Sequence, residues 1–257
     1  MNDKDYIKSL EKAVNIICLL SQDGSPLKLE DLVKVSGMKK TSCFRIVQTL
    51  MRSNFVSKDP ETKGYFIGPR MVSIGLSALD RVGVRELALP FMKDIRKKTG
   101  TTVNLAILSG AEVIFVERLQ SAHIIEANLR IGSRLPVHLS SMGKAILAHL
   151  PDPELETILK QIRFERKTEK TITSIDALKG ELGEIRRKGF ALNNEELEKG
   201  LFAIAAPLRN YTGIAVASMN ISFPLMRHSK QEAMKNFCPL ILEACRKISY
   251  SLGFRER

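Results

Sequence analysis

The sequence predicts an α+β fold in two unequal parts: a small helical unit closed by a hairpin, then a larger domain of antiparallel strands interleaved with helices. Three observations carry this reading. Apolar residues recur at helical spacing up to Met51, the period shortens to two after Asn54, and beyond Gly100 short hairpins alternate with helical segments. Strands joined in hairpins favour an antiparallel sheet over a parallel doubly wound one.

In SLEKAVNIICLL, the residues Leu10, Ala13, Val14, Ile17 and Cys18 mark one apolar stripe of a first helix with Ser9 as its N-cap, and QDGSP stops it. A second helix over residues 30–36 buries Leu32 and Val33 and ends at Gly37, which suits a left-handed terminal position. In GMKKTSCFRIVQTL and the two residues after it, Phe44, Val47, Leu50 and Met51 form the inner stripe of a third helix. Thr41, Arg45, Gln48 and Arg52 share its outward face. FVSKD, PETKG and YFIG then read as a hairpin with Lys58 and Lys63 near its tip.

Helix, helix, turn, helix and basic hairpin is the element order of a winged helix-turn-helix, assigned to residues 1–69. Residues 70–85 read as a linker helix with a packing or dimerisation role, and residues 86–257 as the second domain. There, Pro90 marks the start of a helix ending at Gly100. TTVNLAIL pairs with VIFVERL, while HIIEANL and RLPVHL extend the sheet. LFAIAAPL pairs with IAVASMNIS, and helices over residues 143–150, 153–161, 174–188 and 229–252 flank the strands.

With 40 Lys+Arg against 28 Asp+Glu, the 257-residue chain carries a formal charge of +12, which favours polyanionic partners. The excess is concentrated over residues 37–70, where Lys39, Lys40, Arg45, Arg52, Lys58, Lys63 and Arg70 face only Asp59 and Glu61. Arg and Gln are the side chains that bond guanine and adenine in the major groove, so Arg45 and Gln48 are assigned to base reading. Lys39, Lys40, Thr41 and Ser42 are assigned to phosphates, with Arg52 on the same face and Lys58 and Lys63 gripping the backbone or minor groove. The alternative is an ordinary solvated basic helix.

The four cysteines form no C-x-x-C pair and the four histidines no zinc spacing, so buried free thiols, no metal and no cofactor are expected. No signal-peptide pattern opens the chain and no apolar run suits a membrane, so a cytoplasmic protein is expected.

The chain resembles the IclR-type bacterial transcriptional regulators. The resemblance is carried by SLEKAVNIICLL, LKLEDLVKVSGMKKTSCFRIVQTL, GYFIGPRMVSIG, GSRLPVHLSSMGKAILAHLP, TITSIDALKGELGEIRRKGFALNNEELEKGLFAIAAPL and a late SYSLGF, and so spans nearly the whole sequence. It implies an N-terminal winged helix-turn-helix, a linker helix and a C-terminal GAF-like antiparallel sheet with flanking helices. It further implies operator DNA as partner, a small organic acid as effector, and a homodimer or dimer of dimers.

In HLSSMGKAIL the two serines precede a helix whose free N–H groups suit an anion, although Ser140 and Ser141 could simply cap it. Carried over from the family, the effector site comprises Ser141, Met142, Asn193, Ala203, Asn220 and Ser222. The last two alternate on one strand and so share a face. Asn193 stands where the family usually has Asp and is expected to offer a neutral donor. Phe202 and Ala203 replace a common Arg-Cys pair and are expected to make the wall more apolar.

Glu195 and Glu196 read as surface acids at a helix start, His138 as a packed, hydrogen-bonded strand residue, and Lys144 as a helix-surface cation. No nucleophile, base and orienting group assemble, so no enzyme is expected. The rival readings are an enzyme on a small carboxylate with a basic tether, and a DNA-binding protein that needs no effector.

Overall fold

The structure, a computed structural model, describes residues 6–21, 25–75, 83–121 and 129–255. The chain divides into two compact units, Met1–Arg81 and Val82–Arg257.

In the first unit, α1 (Lys8–Ser21), α2 (Leu29–Ser36) and α3 (Lys40–Arg52) precede β1 (Val56–Lys58) and β2 (Tyr65–Ile67), an antiparallel pair with Val56 opposite Ile67. α2 stops at Gly37, whose φ of 67° is a left-handed conformation that a side chain would strain, and its N–H reaches the Val33 carbonyl. The chain therefore turns at once into Lys39, the N-cap of α3. Asp59 closes the hairpin turn by accepting from the Glu61 and Thr62 N–H groups and the Thr62 hydroxyl.

Ile16, Leu20, Leu32, Cys43, Val47, Val56 and Tyr65 form the core of this unit. Two expectations fail here. On α1 the buried residues are Ile16 and Leu20, while Leu10, Val14 and Cys18 are exposed. That helix has apolar residues on two faces, and period alone does not choose between them. On α3, Cys43 rather than Phe44 enters the core beside Val47, and Phe44 is 46% exposed.

Helix α4 begins at residue 70 and is described through residue 75, and the expected linker over residues 76–82 lies outside the described residues. In the second unit α5 (Val84–Thr99) begins directly after Gly83, so Pro90 lies inside the helix rather than at its start. The missing proline N–H forfeits one helical bond. Burial of Val84, Ala88, Met92 and Ile95 offsets that loss.

Six strands follow among the described residues: β3 (Thr102–Ser109), β4 (Glu112–Leu119), β5 (Arg134–Pro136), β6 (Ala191–Asn194), β7 (Leu201–Arg209) and β8 (Ala215–Pro224). They form one antiparallel sheet in the order β5-β4-β3-β8-β7-β6. The expected strand HIIEANL falls outside the described residues apart from Leu129, and RLPVHL is a strand only to Pro136 before a 3-10 turn over Val137–Leu139.

α6 (Ser141–Leu147) packs on β7 and β8, α7 (Asp152–Leu159) lies beyond it, and α8 (Ile175–Lys188) packs on α6. After β8 come α9 (Lys230–Glu232), a π turn at Ala233–Phe237 and α10 (Cys238–Ser251). α10 packs on β7 and on α5. Its side of the sheet is marked by Phe223, which stacks on Phe202 and edge-on to Phe237. Residues of the opposite parity, Asn220 and Ser222 among them, face α6.

Cys43, Cys238 and Cys245 are buried free thiols, whereas Cys18 is exposed. Burial pushes the Cys238 thiol up to about 11.

Candidate functional site

Helix α3 carries no acidic residue. Thr41, Arg45 and Arg52 stand exposed on its outward face with Gln48 half-buried among them, its amide near the Met51 sulfur at 3.9 Å. Ser42 is half-buried and, together with Arg45, borders a groove against α1. Lys39 and Lys40 sit at the helix start, and Lys40 reaches Glu30 at 3.5 Å, a pair so exposed that it holds little energy. Lys58 and Lys63 are exposed at the hairpin; Lys58 lies 5.4 Å from the Tyr65 ring centre and Lys63 donates to the Pro60 carbonyl.

The second unit contains a cavity of about 230 Å³ between the sheet and the start of α6. All six residues assigned to the effector, Ser141, Met142, Asn193, Ala203, Asn220 and Ser222, line it. Strand register brings them there. Asn193 lies opposite Ala203 and Ala203 opposite Ser222, forming one row across the sheet. The neighbouring row runs from Arg118 through Asn104 to Asn220. Phe115, Leu135, Leu139 and Met142 supply an apolar wall.

The second row is a directed hydrogen-bond chain. A guanidinium can only donate, so Arg118 Nη1 meets the Asn104 Oδ1 at 3.1 Å. That turns the Asn104 amide N–H groups to Asn220 Oδ1 at 2.8 Å and Ser222 Oγ at 3.3 Å. Asn220 then donates to Ser141 Oγ at 3.3 Å, which leaves the Ser141 hydroxyl proton for an acceptor in the cavity. Ser140, not Ser141, caps α6 by accepting from Gly143 N–H at 3.3 Å. Gly143 is required because a Cβ there would fall 2.5 Å from the Val137 carbonyl oxygen, and without one the helix start packs directly on the Val137 turn.

Five expectations are corrected at this site. Asn193 does not point a fresh donor at the ligand: its amide donates to the Leu139 carbonyl at 2.6 Å, and its Oδ1 accepts from Glu196 N–H at 3.2 Å. Phe202 does not line the wall, because it pairs with Phe223 on the opposite face of the sheet.

Lys144 is not a surface cation. It is fully buried, with Nζ 2.6 Å from both Glu181 on α8 and Glu196. Glu196 is buried with it, and burial raises the Glu196 carboxyl above its ordinary range while Lys144 pulls it back. The sequence signal was available: SMGKAIL offers Lys144 no solvated face, since every residue of α6 is buried.

His138 lies in the 3-10 turn rather than a strand. Its ring packs 5.0 Å from that of Phe164, and burial lowers its pKa against a backbone hydrogen bond at Glu165 that raises it.

Glu196 is therefore not the expected surface acid, and no helix starts beside it; Glu195 diverges from it and pairs at the surface with Lys170 and Lys230. The two acids therefore form no catalytic pair. Missed in the sequence were Asn104, a lone amide in the apolar run VNLAIL, and Arg118, one of several charged residues of β4. Among the described residues no group of three or more metal-ligating side chains converges, and no helix is long and apolar enough to cross a membrane.

The profile of the IclR helix-turn-helix domain matches residues 9–60, and the one described as bacterial transcriptional regulator IclR C-terminal matches residues 76–250. The HTH-type transcriptional regulator XynR of Escherichia coli K12 is 30% identical over 248 residues, 96% of this chain and 98% of its own length. Among solved structures, IclR of Thermotoga maritima superposes with a TM-score of 0.75 at 27% identity, over 97% of this chain and 100% of that one. An IclR homologue of Microbacterium hydrocarbonoxydans, complexed with 4-hydroxybenzoate, superposes with a TM-score of 0.83 at 24% identity, over 95% of this chain and 99% of the other.

Proposed function

The chain belongs to the IclR family of bacterial transcriptional regulators, and on that premise we propose that it holds a small organic acid in the cavity under α6 and thereby alters its grip on operator DNA. The regulator itself has a helix-turn-helix DNA-binding domain and an effector-binding domain. The observation that carries the effector class is the Arg118–Asn104–Asn220–Ser141 chain, which ends in a hydroxyl proton beside an apolar wall. A ligand with a carboxylate at one end and an apolar body matches it. The cavity is smaller than the roughly 300 to 1,000 Å³ of drug-sized sites, which favours a compact acid. The aromatic acid held by the Microbacterium homologue is of this kind.

On the DNA side, Arg45 and Gln48 read base edges, Lys39, Lys40, Thr41 and Ser42 fix phosphates, Arg52 supports them, and Lys58 and Lys63 grip the adjoining backbone. Residues 1–69 form the DNA-binding domain, residues 70–85 the link, and residues 86–257 the effector-binding and oligomerising domain. Two copies, or two such dimers, read half-sites about 10 base pairs apart or a multiple of that. By linkage, effector and operator change each other's affinity by one common factor.

Titration calorimetry of the full chain against small carboxylates and their uncharged amides tests the effector class. Binding by acids and not by amides is expected, and tight binding of cationic or neutral ligands alone refutes it. A footprint on the upstream region of its own gene, with and without the acid that binds, tests the coupling.

A further inference from the structure

The apolar residues of α3 divide unevenly. Cys43 and Val47 lie in the core of the N-terminal unit, and Ile46, Leu50 and Met51 pack against that core. Phe44 alone among them stands apart, with 46% of its surface exposed. A single exposed apolar residue is ordinary on a protein surface. The setting of this one is not. At about 100° per residue it lies roughly 60° around the helix from Thr41 and 40° from Gln48, so it borders the face assigned to base reading. Lys39, Lys40, Arg45 and Arg52 surround it with cations, and α3 has no acid to balance them.

A cationic face brings DNA against this ring, and phosphates cannot satisfy a phenyl group. Along the floor of the major groove the one apolar group that bases present is the C5-methyl of thymine, and Phe is among the side chains whose shape and polarity match it. We infer that Phe44 is a specificity-determining residue that covers a thymine methyl group in each operator half-site. The inference rests on the reading of α3 as the DNA-facing helix and adds a base to the two, guanine and adenine, that Arg45 and Gln48 suit. Gln48 and Phe44 are one turn apart, so the thymine should lie within a base pair or two of the base that Gln48 contacts.

The experiment selects binding sites from a random duplex DNA library with the full-length protein and, in parallel, with Phe44→Ala and Phe44→Leu. Uracil then replaces the selected thymine in the recovered site, a change that removes only the methyl group.

The native protein should recover a site with a fixed thymine in each half and lose about four-fold in affinity for each uracil, the factor expected for one buried methyl. Phe44→Ala should recover no preference at that position and bind thymine and uracil sites alike, while Phe44→Leu should keep part of the preference. Because the ring is exposed, the variants should unfold at the temperature of the native protein, and their salt dependence should be unchanged because no phosphate contact is touched.

A thymine preference that survives in Phe44→Ala overturns the inference, as does a native protein indifferent to uracil or a recovered site without thymine. Those outcomes leave the DNA-facing role of α3 standing. A library from which no sequence is enriched overturns that role, and this inference with it.

Discussion

The two units display their chemistry in opposite ways. On α3 the candidate DNA contacts stand mostly in solvent with few partners of their own, each able to act alone. Around the cavity the candidate ligand contacts are buried and bonded to one another, and Arg118, Asn104, Asn220 and Ser141 behave as one object. A surface that meets a long, repetitive, charged partner gains by summing independent contacts. A cavity that must recognise a small molecule gains by holding a few groups in fixed orientation.

The contrast predicts that damage stays local in the first unit and spreads in the second. Lys144→Ala should have the largest effect. It leaves Glu196 buried without its cation, and chemical denaturation of the full chain should show the second unit destabilised by about 3 to 5 kcal/mol. Ligand binding should fall with it, because Glu196 N–H holds Asn193 at the cavity wall. Unchanged stability would mean that Lys144 and Glu196 are not buried together as described.

Arg45→Ala should cost about 1 to 3 kcal/mol in operator affinity and relax base preference, measured by fluorescence anisotropy, while leaving the unfolding transition in place. A double-mutant cycle then sharpens the difference. Asn104→Ala with Ser141→Ala should couple by about 0.5 kcal/mol or more in ligand binding, whereas Arg45→Ala with Lys63→Ala should add within about 0.5 kcal/mol in DNA binding. Lys40→Ala should weaken all DNA sequences alike and flatten the slope of log K against log salt by about 0.9.

The smallest effect concerns Glu195, whose carboxyl is held at about 2, first by Lys170 and then by the Gly200 N–H. A carboxylate depressed in the folded state contributes stability above its ordinary pKa near 4.5, and that contribution is lost as the pH falls toward 2. Glu195→Gln should therefore flatten the acid limb of the stability profile between those values by lowering stability at neutral pH toward its acid level, an effect kept small by solvent screening at the surface.

What was legible in the sequence follows the same division. The order of helices and hairpin, the outward face Thr41–Arg45–Gln48–Arg52 and the pairing of Asn220 with Ser222 are local periodicities, and periodicity reports them. Phe44 and the α1 stripe were misplaced because a helix with apolar residues on two faces gives period without orientation. The site's connectivity was out of reach for another reason. Asn104 meets Asn220 across 116 positions, a neighbourhood set by the register of β3 on β8 that neither segment states alone. Strand parity could have shown that Phe202 turns away from Ala203, since adjacent residues on a strand face opposite sides.

The directed chain behind Ser141 bears on how such a protein could come to sense something else. Replacing Ser141 alters the shape and strength of the last link, yet the orientation of Asn104 and Asn220 remains dictated by a guanidinium two strands away from β8. Lineages or engineers seeking a ligand that donates rather than accepts would have to begin at Arg118, the side chain farthest along the row from α6. Retuning within acids is a short mutational walk at the cavity wall. Crossing to amines requires rewriting the far end of the row first.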